Sequence, residues 1–320
     1  MQRSLIANWI PFKLSHSAQD DWTLKWMHLE NIRMIHPFFD ETIQSCRCQQ
    51  IEKSNLESFS TPDFLPVAGQ DLESLAPSSF IFHVSRCGST LLSQAFADPE
   101  ENIVIAEAPL FDEILRATEK QADLSTLTRE VWFKSAIKFM GQKRNFKETS
   151  YIIKLDSWHI HFYELLREWY PQTPFFFLYR QPDEIIASHD KRRGLQSIPG
   201  MIDNNLLKTE QPASFGGDFN GYTAQVLEQY FLKLQNIHAD AHPKNYFFNY
   251  ADGSKKMVGS FSQFTGIPIR DPEKMNTRLG FHSKSSKEIF KPETHQEREK
   301  FFYRHCHTAY EQLNNNLSIL

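Results

Sequence analysis

Short apolar runs alternate with longer amphipathic segments along most of the chain. A run of four or five apolar residues is typical of a strand buried on both faces, whereas apolar residues three and four apart predict helices. Strands are predicted at 80–84, 102–109, 151–156, 173–180 and 245–250. Helices are predicted at 110–147, 157–171, 182–194, 222–242, 254–268 and 293–314. This order predicts an α/β fold with a mostly parallel central sheet and helices on both faces.

The first 77 residues follow a less regular pattern. From residue 20 onwards we expect a short helix, an extended segment and then a helix capped by Asp40. Residues 60–78 carry three prolines and one glycine and are interpreted as a linker. We therefore expect an N-terminal segment, 1–77, that could cover the acceptor side of a site, and an α/β domain over 78–320.

The turn after the first buried strand carries groups suited to an anion. Its sequence is SRCGST, residues 85–90, and it joins a strand to a helix. A helix start offers unpaired N–H groups, and Gly88 lets the backbone approach a ligand closely. Arg86 adds a positive charge, and Ser89 and Thr90 add hydroxyl donors. The turn predicts a local anion site.

A second candidate anion site follows later in the chain, where a predicted strand ends in an arginine. Arg180 ends the strand at 173–180, and Ser188 lies eight residues further, on the second turn of the next helix. At that spacing both side chains can face one phosphate group. The basic residues 191–193 are expected at a solvated helix end, where the helix dipole favours positive charge.

Both stretches resemble motifs of the sulfotransferase superfamily. SRCGSTLL is similar to the family's 5′-phosphosulfate loop, P-[RK]-[SA]-G-[TS]-[TS]-x-[LA], with Ser85 in place of the proline and Cys87 in place of the small residue. FFFLYRQPDEIIASHDKRR resembles its 3′-phosphate motif, with Gln181 in place of the usual aspartate. The resemblance spans residues 78–270 and implies a P-loop NTPase-like sulfotransferase fold. It also implies the donor 3′-phosphoadenylyl sulfate (PAPS), with adenosine 3′,5′-bisphosphate (PAP) as product.

The resemblance implies roles for individual residues. Those expected to bind the donor are Arg86, Cys87, Gly88, Ser89, Thr90, Arg180 and Ser188. Arg86 and Lys154, which stands where the family has a lysine, are expected to act in catalysis, with no metal. Glu107, followed by Phe111-Asp112 as in carbohydrate sulfotransferases, is the expected general base, and Asp156 is its competitor.

Two other functions stay open at this point. An ATP- or GTP-using enzyme with a degenerate loop would hold Mg²⁺ through Ser89 or Thr90 and through Asp156. The pattern GxxxxGK[ST] does not match, however, because Ser89 replaces the lysine and His83 replaces the first glycine. A sulfotransferase-like module that only binds a partner is the non-catalytic alternative.

Composition limits the partners. The net charge is −4 over 320 residues, which argues against wholesale binding to nucleic acid or to an anionic membrane. No run reaches the roughly 20 apolar residues of a membrane span. Four cysteines without a paired CxxC pattern, and no signal peptide, favour a reducing, cytoplasmic location. We expect a small-molecule, carbohydrate or lipid acceptor between residues 1–75, 110–147 and 195–221; the sequence does not indicate the oligomeric state.

Overall fold

The computed structural model describes residues 5–17, 21–209, 216–280 and 300–318. The chain divides into two compact units: the first holds residues 1–80 and 93–154, and the second holds 81–92 and 155–320. The strands are β1 (Trp9–Ser17), β2 (Asp21–His28), β3 (Ser58–Ser60), β4 (Ser79–His83), β5 (Asn102–Ala106), β6 (Ser150–Lys154), β7 (Phe175–Tyr179) and β8 (Asn245–Asn249). The expected division after residue 77 stays a prediction.

Most helices lie in the segments where the sequence predicts them. They are α1 (Phe39–Ile51), α2 (Phe64–Ala68), α3 (Ser89–Ala95), α4 (Pro109–Leu115), α5 (Thr126–Met140), α6 (Tyr163–Trp169), α7 (Pro182–Lys191), α8 (Asn204–Leu207), α9 (Phe219–Ala239), α10 (Ser254–Thr265), α11 (Pro272–Leu279) and α12 (Arg304–Ser318). The segment predicted to be helical over 110–147 forms α4 and α5, and α5 is capped by Ser125, whose hydroxyl accepts from the Thr128 N–H. Parts of the expected loops 195–221 and 270–292, and the expected start of the last helix, lie outside the described residues.

Within the described residues, five strands form a parallel sheet in the order β5-β6-β4-β7-β8. The α/β prediction is confirmed: the buried apolar runs form this sheet, and helices flank it. Every residue of β4, β5, β6 and β7 is buried, as expected for parallel strands covered on both faces.

Stacked phenylalanines form the core of the second unit. The Phe177 ring lies 4.9 Å from the Phe82 ring and 4.9 Å from the Phe247 ring, so one face of β4, β7 and β8 carries a continuous aromatic ladder. Phe176 points to the opposite face and packs against Phe261 of α10 at 5.2 Å. The alternation follows from the two-residue period of a strand.

The prediction of a short helix near residue 22 is wrong. Residues 21–28 form β2, which pairs antiparallel with β1 and with β3 in a separate sheet. Trp22, Leu24 and Trp26 are buried on one face, a two-residue alternation that favours a strand. Helix α1 begins after Phe38, so Asp40 lies in its first turn and is not its cap.

Arg144 fastens the N-terminal segment to the rest of the first unit. Its guanidinium donates to the carbonyl oxygens of Ile32 (2.6 Å) and Glu30 (2.7 Å) and to the Asn8 side-chain oxygen (3.1 Å). Burial lowers the pKa of Arg144, but a guanidinium remains charged at any physiological pH. The segment before β1 and the segment after β2 are therefore both held by the Arg144 guanidinium.

The described residues contain no helix that is both long enough and apolar enough to cross a membrane.

The Arg144→Ala variant should be strongly destabilised. It leaves two partly buried carbonyl groups without a donor, so we expect the free energy of unfolding to fall by roughly 2–4 kcal/mol. Urea denaturation measures this change. Lys134→Ala is the control, because the ion pair of Lys134 with Glu130 lies at the surface and its loss should cost less than about 1 kcal/mol. Equal effects of the two variants would contradict the anchoring role of Arg144.

Candidate active site

The turn after β4 has an unusual backbone. Ser85, Arg86 and Gly88 have φ values of +71°, +49° and +85°, in the left-handed region that few non-glycine residues adopt. Turns that include left-handed residues can direct successive N–H groups to one side and form a concave site for an anion. The N–H groups of Gly88 and Ser89 donate to no acceptor in the described part of the chain.

Tyr250 covers one side of this turn. A Cβ atom added to Gly88 would lie 2.3 Å from Cε2 of the Tyr250 ring, so the ring rests directly on the glycine. Burial raises the pKa of Tyr250, although the Arg180 guanidinium acts in the opposite direction, and the phenol is therefore neutral at physiological pH. Glycine at position 88 is required both by its backbone angle and by this contact.

Arg180 connects the turn to the next strand end of the second unit. Its Nη1 group donates to the carbonyl oxygen of Arg86 at 3.2 Å, and its Nε donates to the Glu184 carboxylate at 2.5 Å. The guanidinium carbon lies 5.4 Å from the centre of the Tyr250 ring. The Nη2 group has no acceptor in the described ranges, so part of the charged fork stays available for a ligand.

Two serine hydroxyls of the second unit are also unengaged. Neither Ser89, in the first turn of α3, nor Ser188, in α7, forms a side-chain hydrogen bond with any described residue. Ser89 is nevertheless largely buried. Unengaged hydroxyls of this kind are donors that a polar ligand can use.

The side chains of Arg86 and Cys87 both contact backbone carbonyl groups of the second unit. Nη2 of Arg86 donates to the carbonyl oxygen of Arg192, just after α7, so the guanidinium lies near the end of the helix that carries Ser188. The Cys87 thiol is fully buried and faces the carbonyl oxygen of Leu178 at 3.4 Å. Only the backbone of Cys87 is thus placed to contact a ligand of the turn.

Glu107 and Lys154 meet in the first unit. Glu107 directly follows β5, and Lys154 is the last residue of β6, which pairs with β5. The Glu107 N–H donates to the Lys154 carbonyl oxygen at 2.8 Å. Their side chains form an ion pair in which Lys154 is fully buried and Glu107 is partly exposed. The ammonium also lies 5.4 Å from the centre of the Phe38 ring. Glu107 has a φ of +55°, a strained conformation of the kind that is concentrated at functional sites.

Asp156 has a structural role at the start of a 3₁₀ turn, Ser157–Phe162. Its carboxylate accepts from the His159 N–H, and the His159 ring accepts from the Asp156 N–H in return.

Burial, with Lys208 and Lys233 nearby, lowers the pKa of His161 to about 3, so His161 is neutral at physiological pH. In the described part of the chain, no three His, Cys, Asp or Glu side chains are grouped as metal ligands are.

Sequence reasoning missed two residues of this site. Tyr250 is separated from Gly88 by more than half of the chain, and no spacing rule predicts their contact. Glu184 was visible in principle, because it follows Arg180 by four residues across the start of a helix, a spacing at which opposite charges pair. Arg193 differs from expectation as well: it donates to Asp190 and Asn220 and is not fully solvated.

Comparisons with known proteins give only remote likenesses. No protein-family model and no curated protein matches the chain. Among solved structures, the chain is similar to the sulfotransferase domain from the curacin biosynthetic pathway (13% identity, 76% of this chain and 99% of that chain, TM-score 0.45). It is also similar to a sulfotransferase from Alicyclobacillus acidocaldarius (13%, 75% and 96%, TM-score 0.42). A third is mouse sulfotransferase SULT7A1 complexed with PAP (12%, 78% and 87%, TM-score 0.40). Any functional assignment therefore rests on the residues of the site itself.

We predict that Gly88→Ala destabilises the second unit. The left-handed φ and the overlap with the Tyr250 ring should together lower the free energy of unfolding by roughly 2–5 kcal/mol, measured by urea denaturation. Adding Tyr250→Ala should relieve the overlap but not the backbone penalty, and so should recover part of the loss.

Gly259→Ala is the matched control. Gly259 lies inside α10 with no atom within 4 Å of an added Cβ, so alanine should stabilise the protein by about 0.5–1 kcal/mol. A Gly88→Ala variant that behaves like this control would show that the turn does not have the described conformation.

Proposed function

We propose that this protein is a sulfotransferase that takes its sulfuryl group from PAPS and passes it to a hydroxyl or amine acceptor. The main support is the link between Arg180 and the backbone of Arg86, which joins two groups of anion donors at the ends of β4 and β7. Two such groups suit a ligand with two separate anionic ends. The sequence resemblance to the 5′-phosphosulfate and 3′-phosphate motifs points to the same donor.

The available donors fit PAPS in the following way. The phosphosulfate would bind the N–H groups of Gly88 and Ser89 and the Ser89 hydroxyl, and the ribose 3′-phosphate would bind the Nη2 group of Arg180 and the Ser188 hydroxyl. Glu184 holds the Arg180 guanidinium in a fixed orientation through its Nε, so a phosphate meets a pre-oriented fork. Arg86, near the end of α7, would add positive charge.

The proposed chemistry is an in-line displacement at sulfur. The acceptor oxygen or nitrogen forms a bond to sulfur while the bond from sulfur to the bridging phosphate oxygen breaks, and PAP leaves with the electron pair. By analogy with phosphoryl transfer, the transition state is loose, and catalysis depends on position and on charge stabilisation. Donors of the turn would stabilise the charge that develops on the leaving phosphate.

Glu107 is the proposed base that accepts the proton of the acceptor group. Its ion pair with Lys154 fixes the orientation of the carboxylate. Asp156 is less suited to this role, because its carboxylate caps the turn at 157–162. The same engagement weakens the case for Asp156 as the Mg²⁺ ligand of an ATP- or GTP-using enzyme. A small-molecule, carbohydrate or lipid acceptor stays a prediction.

The donor assignment predicts specific stabilisation by PAP. At a hundredfold excess over its Kd, PAP should add about 2.7 kcal/mol to the free energy of unfolding and raise the melting temperature. In Arg180→Ala this should be lost, with affinity lower by roughly 30-fold or more; Arg180→Lys, which keeps the charge but lacks the planar fork, should lie between. Arg270→Ala, at an exposed arginine, is the control. Stabilisation by ATP with Mg²⁺ but not by PAP would overturn the assignment.

The base assignment predicts loss of turnover without loss of donor binding. Transfer of radiolabelled sulfate from PAPS to a panel of hydroxyl and amine acceptors measures activity. In Glu107→Gln we expect kcat to fall by roughly 100- to 10,000-fold, while PAP affinity stays within about twofold. A double variant, Glu107→Gln with Lys154→Met, removes both charges and shows whether any loss comes from the unpaired lysine. PAP binding without transfer to any acceptor would instead favour the non-catalytic module.

A further inference from the structure

Ser85 occupies a position that proline cannot take here. The resemblance places a proline of the family's loop at this position, but the Ser85 φ of +71° is far from the value of about −65° that a proline ring allows. Two successive left-handed non-glycine residues, Ser85 and Arg86, make this backbone conformation unfavourable. Other contacts must therefore hold the turn in this conformation.

A buried histidine holds the backbone of Ser85. The Ser85 N–H donates to Nδ1 of His83 at 3.0 Å, and Nε2 of His83 lies 2.9 Å from the Leu155 carbonyl oxygen. A carbonyl oxygen only accepts, so the single ring proton of the neutral imidazole is on Nε2. His83 is thus fixed as a neutral ring that accepts from the turn.

A second buried histidine holds the side chain of Ser85. The Gly194 N–H donates to Nδ1 of His189 at 3.1 Å, so this neutral ring also carries its proton on Nε2, which donates to the Ser85 oxygen at 3.1 Å. The Gln196 amide donates to the same oxygen at 2.8 Å. His189 is 1% exposed and Gln196 is 5% exposed, so water competes little for these bonds.

We propose that His189 is a positioning residue that keeps the anion-binding turn in its strained conformation before the ligand arrives. We call Ser85, His83, His189 and Gln196 the Ser85 clamp. His189 follows Ser188 directly in α7, so the clamp also fixes the turn relative to the helix of the proposed 3′-phosphate site. A fixed spacing between two anion sites favours a ligand that engages both at once, because less conformational entropy of the protein is lost on binding.

The first consequence concerns the turn alone and does not depend on the ligand. Hydrogen exchange of the amides at 85–90 is measured in the ligand-free protein. His189→Leu should speed this exchange by roughly tenfold or more, because one or two buried hydrogen bonds are lost. Ser85→Gly is the second variant: glycine adopts the left-handed angle without strain, so the fold is retained while the side-chain contacts disappear.

Conservative replacements separate the two contacts of the imidazole. In His189→Gln the side-chain nitrogen can still donate to Ser85, whereas in His189→Asn the side-chain oxygen can still accept from Gly194. Slow exchange should be restored more fully by glutamine than by asparagine. Ser197→Ala is the control, since the Ser197 hydroxyl is buried beside Gln196 and has no partner among the described residues; it should leave the exchange of 85–90 unchanged.

The second consequence rests on the proposed function. Kd values for PAP and for 5′-AMP, which lacks the 3′-phosphate, are measured by calorimetry. In His189→Leu and Ser85→Gly, PAP affinity should fall by roughly tenfold more than AMP affinity, whereas a general loss of stability would weaken both equally. If the wild-type protein binds neither nucleotide, the proposed function fails and the exchange data alone decide on the clamp. Exchange of 85–90 that is unchanged in both variants overturns the clamp.

Discussion

The hydrogen bond from the Arg180 guanidinium to the carbonyl oxygen of Arg86 fixes the geometry on which the proposed donor site depends. It joins a turn that follows β4 to a residue that follows β7, and it uses one edge of the guanidinium while another part stays available. The residue that accepts this bond, Arg86, itself has a left-handed backbone. Site geometry and backbone strain are therefore linked.

Local arrangement, and not total charge, makes this region suitable for anions. The protein carries a net charge of −4, so long-range attraction contributes little to the binding of a polyanion. In the proposed site, two arginines, the N–H groups of a strained turn and two serine hydroxyls would act at short range instead. Glu184 even places a negative charge at the site, and its contribution is to orient Arg180. Affinity in such a site depends on pre-orientation more than on the number of charges.

The sequence was most informative where local chemistry determines structure. Buried apolar runs predicted the parallel strands, and the glycine at position 88 has the left-handed backbone that the turn requires. Residues 22–26 were misinterpreted, although their two-residue alternation was visible. Contacts between distant segments, such as Tyr250 on Gly88 or His189 on Ser85, leave no periodic signal, so they could not be predicted. The donor-binding and catalytic roles themselves stay predictions.

The ion pair between the buried Lys154 and the partly exposed Glu107 has a consequence for how this protein can change over evolutionary time. Loss of Glu107 alone would leave the Lys154 charge buried and uncompensated, at a cost of roughly 3–5 kcal/mol, a large share of the stability of most domains. Simultaneous loss of both partners is far less harmful. Divergence at this position therefore has to pass through paired replacements, and the two residues should be inherited together or exchanged together.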